Sequence, residues 1–362
     1  MLYGILAAVT SLLIAALLAA LFRGLGLRAG VFERRPQGSA RRRPVPLLGG
    51  AAVLAATCLV AGAGEWTGVA PLGDGVGGLL VAGAAVGALG LVADVWRLRA
   101  RVLVAGTAVA ATCVVPYDRT GVPAGILAVG WIVFVTLAFR ALDHADGVAG
   151  TVGVITAFGI GACAAGEVMD GLAVLLSVLA AALTGFLMHN WYPARVGLGA
   201  CGSLFTGFLL AASGVFTRAG YGLGEGAGVL FSLTALATAD LVLVAVSRRA
   251  GGRSLLRSGA DHLGHRLRRL GLTPQGTVVL AGLGAFGAVL VGVLAHTGWA
   301  GDGAVLWVVG GALVVVLLLL RVPVHPVHPV HGHRRVPVHG PRRGASTQVT
   351  EHATGRLRVR SG

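Results

Sequence analysis

The sequence predicts an all-α, polytopic integral membrane protein of about eleven transmembrane helices. Three observations carry that expectation. The 362 residues are 56% hydrophobic and only 12% charged, against about 25% charged for a soluble domain, and mean hydropathy is +0.83. Apolar runs near the spanning length of about 17–25 residues recur along the chain. The charges fall between those runs, and basic loops alternate with acidic ones.

Taken in order, the runs lie near 2–22, 45–62, 76–93, 102–116, 122–139, 149–165, 168–188, 199–216, 226–247, 277–296 and 303–320. The first has no basic residue before it, and Arg23 and Arg28 follow it, which favours a retained span over a cleaved leader. The fourth and sixth are the shortest. Loops after odd-numbered runs hold Arg34, Arg35 and Arg41 to Arg43, then Arg97, Arg99 and Arg101, then Arg140, Arg195 and the arginines from Arg248 to Arg269. Loops after even-numbered runs hold Glu65 and Asp74, Asp118 and Arg119, Glu167 and Asp170, Arg218 and Glu225, and Asp302. By the positive-inside rule the N-terminus is outside and the C-terminus is cytoplasmic, in a multi-pass protein of the cell membrane.

These runs define a transmembrane domain over 1–321, followed by a Pro/His/Arg-rich tail over 322–362. The tail repeats Pro-Val-His, and proline at that density excludes helix and favours a disordered, extended chain. His325, His328, His331, His333 and His339 are either transition-metal ligands or part of a low-complexity tract. Net charge is +15 and every basic residue is arginine. The arginines lie between apolar runs and in the tail, which points to topology and anionic lipid rather than nucleic acid. Cys58, Cys113, Cys163 and Cys201 lack metal-binding spacing and read as small buried thiols or, for Cys201, a lone soft group.

Five polar clusters punctuate the odd-numbered loops. The first, Arg34 to Leu54, runs RRPQGSARRRPVPLLGGAAVL, where Gly49 and Gly50 allow a neighbouring backbone or a phosphate to come close. A plain basic anchor before a helix is the other reading. The second, GLVADVWRLRARV, offers Asp94 with Arg101 seven residues on, and Asp94 could equally pair with Arg97 or Arg99. The third, FRALDHADGVAG, places Asp143 and Asp146 three apart, on one face if helical. Carboxylates at a membrane boundary are costly without a partner, which favours a functional use. The fourth, HNWYPARVGLGACGSLFTGF, opens with His189 and Asn190. The fifth joins Asp240 to RSGADHLGHRLRRLGLTPQ, with His262, His265 and Arg266. An amphipathic basic helix on the membrane surface is its alternative reading.

In order and position these clusters resemble those of the polyprenyl-phosphate N-acetylhexosamine-1-phosphate transferases, the MraY/WecA/TagO-like membrane enzymes, over residues 30–276. In the fourth cluster Asn190, Pro193, Ala194, Gly199, Gly202, Ser203 and Leu204 are in register with N-x-x-P-A-x-x-F-M-G-D-x-G-S-L. The resemblance implies transfer of a sugar-1-phosphate from a UDP-sugar to polyprenyl phosphate at the cytoplasmic face, with magnesium as cofactor. A homodimer is compatible with it. It implies catalytic roles for Asp94, Asp143 and Asp146, with Asp94 and Asp143 as metal ligands. It implies substrate binding by Arg101, Arg140, Asn190, His262, His265, Arg266, Gly49 and Gly50.

The chain departs from the pattern at several positions. Ala93 and Ala200 stand where the family has aspartates, Arg140 where it has asparagine, and His144 where it has glycine. Gly264 replaces a histidine, and Gly259 and Ala260 replace an aspartate–arginine pair. The cation site is therefore less negative by about three charges, two aspartates lost and one arginine gained, which weakens magnesium binding. The competing expectations are an active transferase, a non-catalytic homologue that binds UDP-sugar or polyprenyl phosphate or scaffolds a partner, and a transporter. The transporter expectation lacks the paired broken helices that such proteins carry.

Overall fold

A computed structural model describes residues 2–30, 45–96, 98–252, 261–301 and 303–322. The basic stretch 34–43, Arg97, Gly259, Ala260, Asp302 and the tail from 323 lie outside the described residues. The helices are α1 (Leu2–Ala29), α2 (Gly49–Trp66), α3 (Val76–Trp96), α4 (Ala100–Val114), α5 (Tyr117–Thr120), α6 (Val122–Leu142) and α7 (Val148–Gly166). They continue as α8 (Asp170–Asn190), α9 (Gly199–Thr217), α10 (Leu223–Ala250), α11 (Leu263–Arg269), α12 (Pro274–His296) and α13 (Gly303–Leu320). Each of the eleven expected spans is a helix. Ten are long and apolar enough to cross a membrane. The exception is α4, whose 15 residues rise only about 22 Å, short of a hydrocarbon core of about 30 Å. The chain is an all-helical, polytopic membrane protein.

Local chemistry sets several boundaries. Proline at the start of α12 is tolerated because its missing N–H has no intrahelical partner there. The preceding Thr273 caps the same turn, its Oγ1 accepting from Gly276 N at 3.0 Å. Gly121 has φ 74° and turns the chain from α5 into α6.

The bundle is organised around α9. Its spanning window is 94% buried, against 17% for α1 and 11% for α13. Small residues make that possible, because α9 carries Gly199, Gly202, Ser203, Gly207, Ala211, Ala212 and Gly214. A Cβ at Gly207 would meet Thr136 Cα at 3.0 Å, so α6 lies directly against it. A Cβ at Gly87 would meet Phe205 Cβ at 3.1 Å, which brings in α3 from another side. Helices α2 and α7 complete the sheath. Outside it, α1 packs on α8, where a Cβ at Gly185 would meet Leu12 O at 2.3 Å and Ser11 Oγ donates to Val178 O at 2.9 Å. Helix α10 packs on α6, α12 and α13. The outer faces of α1 and α13 expose Leu13, Leu17, Leu306 and Leu313, as helix faces turned to lipid do.

Candidate functional site

The C-terminal ends of α3, α6, α8 and α10 and the N-terminal ends of α2, α7, α9 and α12 meet through their loops, and every polar cluster of the sequence that is described falls there. Asp94, two residues from the end of α3, reaches the first turn of α9. Its Oδ1 accepts from Ala200 N at 2.9 Å and its Oδ2 from Cys201 N at 3.1 Å. A helix N-terminus leaves N–H groups without intrahelical partners and favours negative charge. Gly199 permits this approach. It has φ 71°, and a Cβ there would lie 2.7 Å from Asp94 Oδ2. Arg140, exposed at the end of α6, attracts Asp94 electrostatically. The methyl of Ala93 is partly buried against the hydrophobic core.

Asn190, the last residue of α8, is buried and joins two loops. Its Oδ1 accepts from Gly147 N at 2.8 Å, and its Nδ2 donates to Val196 O at 2.8 Å. Gly147 has φ 78° and opens α7 in the left-handed region. Asp146 is tied to the same pair of loops, accepting from Ala194 N at 3.3 Å. Asp143 caps the C-terminus of α6.

Gly49 and Gly50 are buried against the chain leading into α9. Gly49 N donates to Gly197 O and Gly50 N to Leu198 O, each at 3.0 Å, while Gly197 N donates to Pro46 O at 2.8 Å. A Cβ at Gly50 would lie 2.1 Å from Gly202 N. These glycines therefore admit protein backbone. Arg101 is exposed near the start of α4.

The histidine loop folds onto the end of α10. Fully buried Asp240 accepts from Leu263 N at 2.6 Å through Oδ1 and pairs with His262 Nδ1 at 3.0 Å through Oδ2. His144, from the α6–α7 loop, stacks on His262 with ring centroids 4.3 Å apart and 16° between planes. His265 flanks it at 5.3 Å. His144 Nδ1 donates to Ala141 O at 3.0 Å, and its Nε2 is buried with no hydrogen-bond partner. Burial pushes the His144 pKa down to about 3, so the ring is neutral. The His265 pKa is also lowered, chiefly by burial and by the adjacent His262.

Arg266 has a different place. It is buried, with Nε donating to Asp261 O at 3.0 Å, Nη1 to Val322 O at 3.0 Å and Nη2 to Ser247 Oγ at 2.5 Å. Asp261 in turn holds Arg248 Nε at 3.2 Å. This arginine clamps α11 to α10 and to the end of α13.

Sequence reasoning left His144 and Asp240 out of the site. Both carried a signal, one as a histidine at a family glycine and the other as an acid within an apolar run. Among the described residues, His144, Asp240 and His262 form the one group of three whose ligand atoms lie within 4.8 Å of one another. The residues expected to hold magnesium fit it poorly. Both oxygens of Asp94 already accept backbone N–H groups, and residue 200 offers a methyl where a charged oxygen is required.

The sequence profile of glycosyl transferase family 4 matches residues 76–217. A Streptomyces coelicolor protein, named provisionally as a glycosyltransferase, is 61% identical over the whole chain and 89% of its own length. The decaprenyl-phosphate N-acetylglucosaminephosphotransferase of Mycobacterium leprae is 30% identical over 68% of this chain and 73% of its own length. A phospho-N-acetylmuramoyl-pentapeptide-transferase of Moorella thermoacetica is 35% identical over 43% of this chain and 46% of its own length.

Proposed function

The chain belongs to glycosyl transferase family 4, the polyprenyl-phosphate hexosamine-1-phosphate transferases, and from that premise we propose that it transfers N-acetylhexosamine-1-phosphate from a UDP-sugar to a polyprenyl phosphate such as undecaprenyl phosphate. On this reading the reaction occurs at the cytoplasmic face, in the synthesis of a cell-envelope glycan. The observation that carries this reading is the stack of His144 on His262. It lays the aspartate loop, with Asp143 and Asp146, against the histidine loop, so that groups for a phosphate nucleophile and for a nucleotide sugar share one end of the bundle.

Phosphoryl transfer depends on positioning and on neutralising charge. Arg140, exposed and close enough to act on Asp94, supplies a fixed positive charge for the diphosphate. Asn190 and Asp146 hold the two loops in register around it. His262 and His265 provide hydrogen bonds to the sugar or diphosphate. Asp94 and Ala200 do not make a magnesium site, so charge neutralisation falls to the arginine. Loss of one electrostatic stabiliser costs about 10²–10³ in rate, so turnover is expected to be slow.

The hold of the α9 N–H groups on Asp94 favours a second reading, a homologue that binds UDP-sugar or polyprenyl phosphate without turning it over. Release of UMP from UDP-N-acetylglucosamine in the presence of undecaprenyl phosphate separates the two. The transferase reading expects UMP from the wild-type chain and more from the Ala93→Asp/Ala200→Asp double variant. Silence in the wild type with activity in the double variant establishes the second reading. Titration with UDP-N-acetylglucosamine tests Arg140: binding should survive removal of magnesium and weaken in Arg140→Asn. A requirement for magnesium would defeat that role.

A further inference from the structure

We propose that His144, Asp240 and His262 bind a zinc-class transition-metal cation, a site distinct from the magnesium position of the resemblance. The inference stands on the geometry of these three residues and does not require that the protein be an active transferase.

The donor set is the first argument. Two imidazoles and one carboxylate match zinc, which binds histidine nitrogen and carboxylate oxygen at about 2.0–2.2 Å and commonly keeps a fourth position open in sites with three protein ligands. Magnesium prefers oxygen ligands and near-ideal octahedral geometry, so this set discriminates against it. Tetrahedral bonds of that length put ligand atoms about 3.3 Å apart. His262 Nδ1 is already 3.0 Å from Asp240 Oδ2, and the widest spacing in the group is within 4.8 Å. Closing around an ion needs the ligand atoms to draw together by up to about 1.5 Å, and the stacked His144 and His262 rings to tilt so that their lone pairs converge.

The second argument is orientation. Metal-bound histidines usually donate their other N–H to a carbonyl or carboxylate, which fixes the ring and leaves a lone pair for the ion. His144 has the elements of that arrangement. Its Nδ1 lies 3.0 Å from Ala141 O and 3.9 Å from Asp240 Oδ2, and its Nε2 is buried and unpartnered, so the ring is oriented by the backbone and keeps a lone pair for an ion. A buried polar atom without a partner is destabilising, and a cation would relieve it. Asp240 is oriented in the same way, with Oδ1 fixed by Leu263 N and Oδ2 turned to His262.

The third argument joins two departures from the family pattern. A Cβ at Gly264 would lie 2.7 Å from His144 Nε2. The missing histidine at 264 is thus the vacancy into which His144 fits. The exchange moves an imidazole from α11 to the α6–α7 loop, within reach of Asp240 and His262.

The test uses the full-length chain in detergent, stripped with a chelator and titrated with Co²⁺ and Zn²⁺. One ion per chain is expected at this site, with a tetrahedral Co²⁺ visible spectrum that Zn²⁺ displaces and millimolar Mg²⁺ does not. His144→Gly and Asp240→Asn should weaken this binding by about 100-fold. Gly264→Ala keeps all three ligands and displaces the His144 ring, so it should weaken binding by about 10-fold. It also guards against a variant that fails to fold. A chain with the five tail histidines His325, His328, His331, His333 and His339 changed to serine should retain the spectrum. The proposal is overturned if the tetrahedral signal is absent. It is equally overturned if the signal survives in both His144→Gly and Gly264→Ala, or vanishes with the tail histidines.

Discussion

Ala200 binds Asp94 through its backbone: the amide of the residue that lacks a carboxylate donates to the carboxylate that remains, at 2.9 Å. In this chain the N–H groups of the first turn of α9 hold the carboxylate that α3 presents to them. Restoring an acid at 200 should therefore set two negative charges against each other. We expect Ala200→Asp to lower the unfolding temperature in detergent, with a cost of up to about 4 kcal/mol for charges near 4 Å at an effective dielectric of 20. Millimolar Mg²⁺ should restore part of that loss, and should leave the wild type unmoved. Equal responses of both proteins to Mg²⁺ would show that no cation position had been rebuilt.

The close passage of α2 over α9 predicts a sharp contrast between two glycines of the same helix. Gly50→Ala drives a methyl into backbone, 2.1 Å from Gly202 N and 2.3 Å from Leu198 O. It should cost about 1–3 kcal/mol or more. Gly62→Ala meets nothing within 4 Å and should be neutral or stabilising by up to about 1 kcal/mol. Thermal unfolding of the two variants side by side checks this. Equal stabilities would mean that the contact between α2 and the α8–α9 loop yields easily.

Arg266 offers a way to separate scaffold from ligand contact. Lysine cannot reproduce a planar fork shared among Asp261 O, Ser247 Oγ and Val322 O. Arg266→Lys should destabilise the protein by about 3–5 kcal/mol and raise hydrogen exchange in α11 and the last turn of α13. UDP-N-acetylglucosamine affinity of the folded fraction should fall less than threefold. A large loss of affinity at unchanged stability would assign the guanidinium to the ligand instead.

At the opposite end of the bundle, Arg218 ties three elements together. Its Nη1 donates to His296 Nδ1 at 2.9 Å, and its guanidinium lies 3.6 Å from the centre of the Tyr221 ring. His296 Nε2 reaches Cys163 O at 3.2 Å, and Tyr221 donates to Glu167. Arg218→Met should lower stability by about 1–3 kcal/mol, since it leaves the half-buried His296 Nδ1 without its donor and removes the cation from the Tyr221 ring. Metal binding at His144 should be unaffected, because the cluster is at the far end of α12. Co²⁺ titration of the variant checks that independence.

The helices were legible because apolar length is a one-dimensional property. Each expected run became a helix, and only α4 falls short of spanning length. The polar clusters were legible as a set, since charge alternation and family order assigned them to one group of loops. What the sequence concealed was pairing at a distance. His144 and Gly264 look like two unrelated losses until the fold lays one over the other. Arg266 looked like a ligand-gripping arginine because a basic run gives no hint that one member is buried. Asp240 stood in the histidine cluster by order along the chain, but its contact with His262 did not show. The 28 residues of α10 carry it to the histidine loop, a register that periodicity alone does not fix.

Asn190 has a consequence for the order in which this end of the protein opens. One carboxamide holds Gly147 and Val196 at 2.8 Å each, so neither loop can swing away without releasing the other. The two loops should therefore behave as a single cooperative unit, with the Gly147 and Gly197 amides exchanging their protons at one shared rate. A ligand that grips either loop would slow both amides together. In Asn190→Ala the two rates should diverge, which makes this residue the timing element of the site.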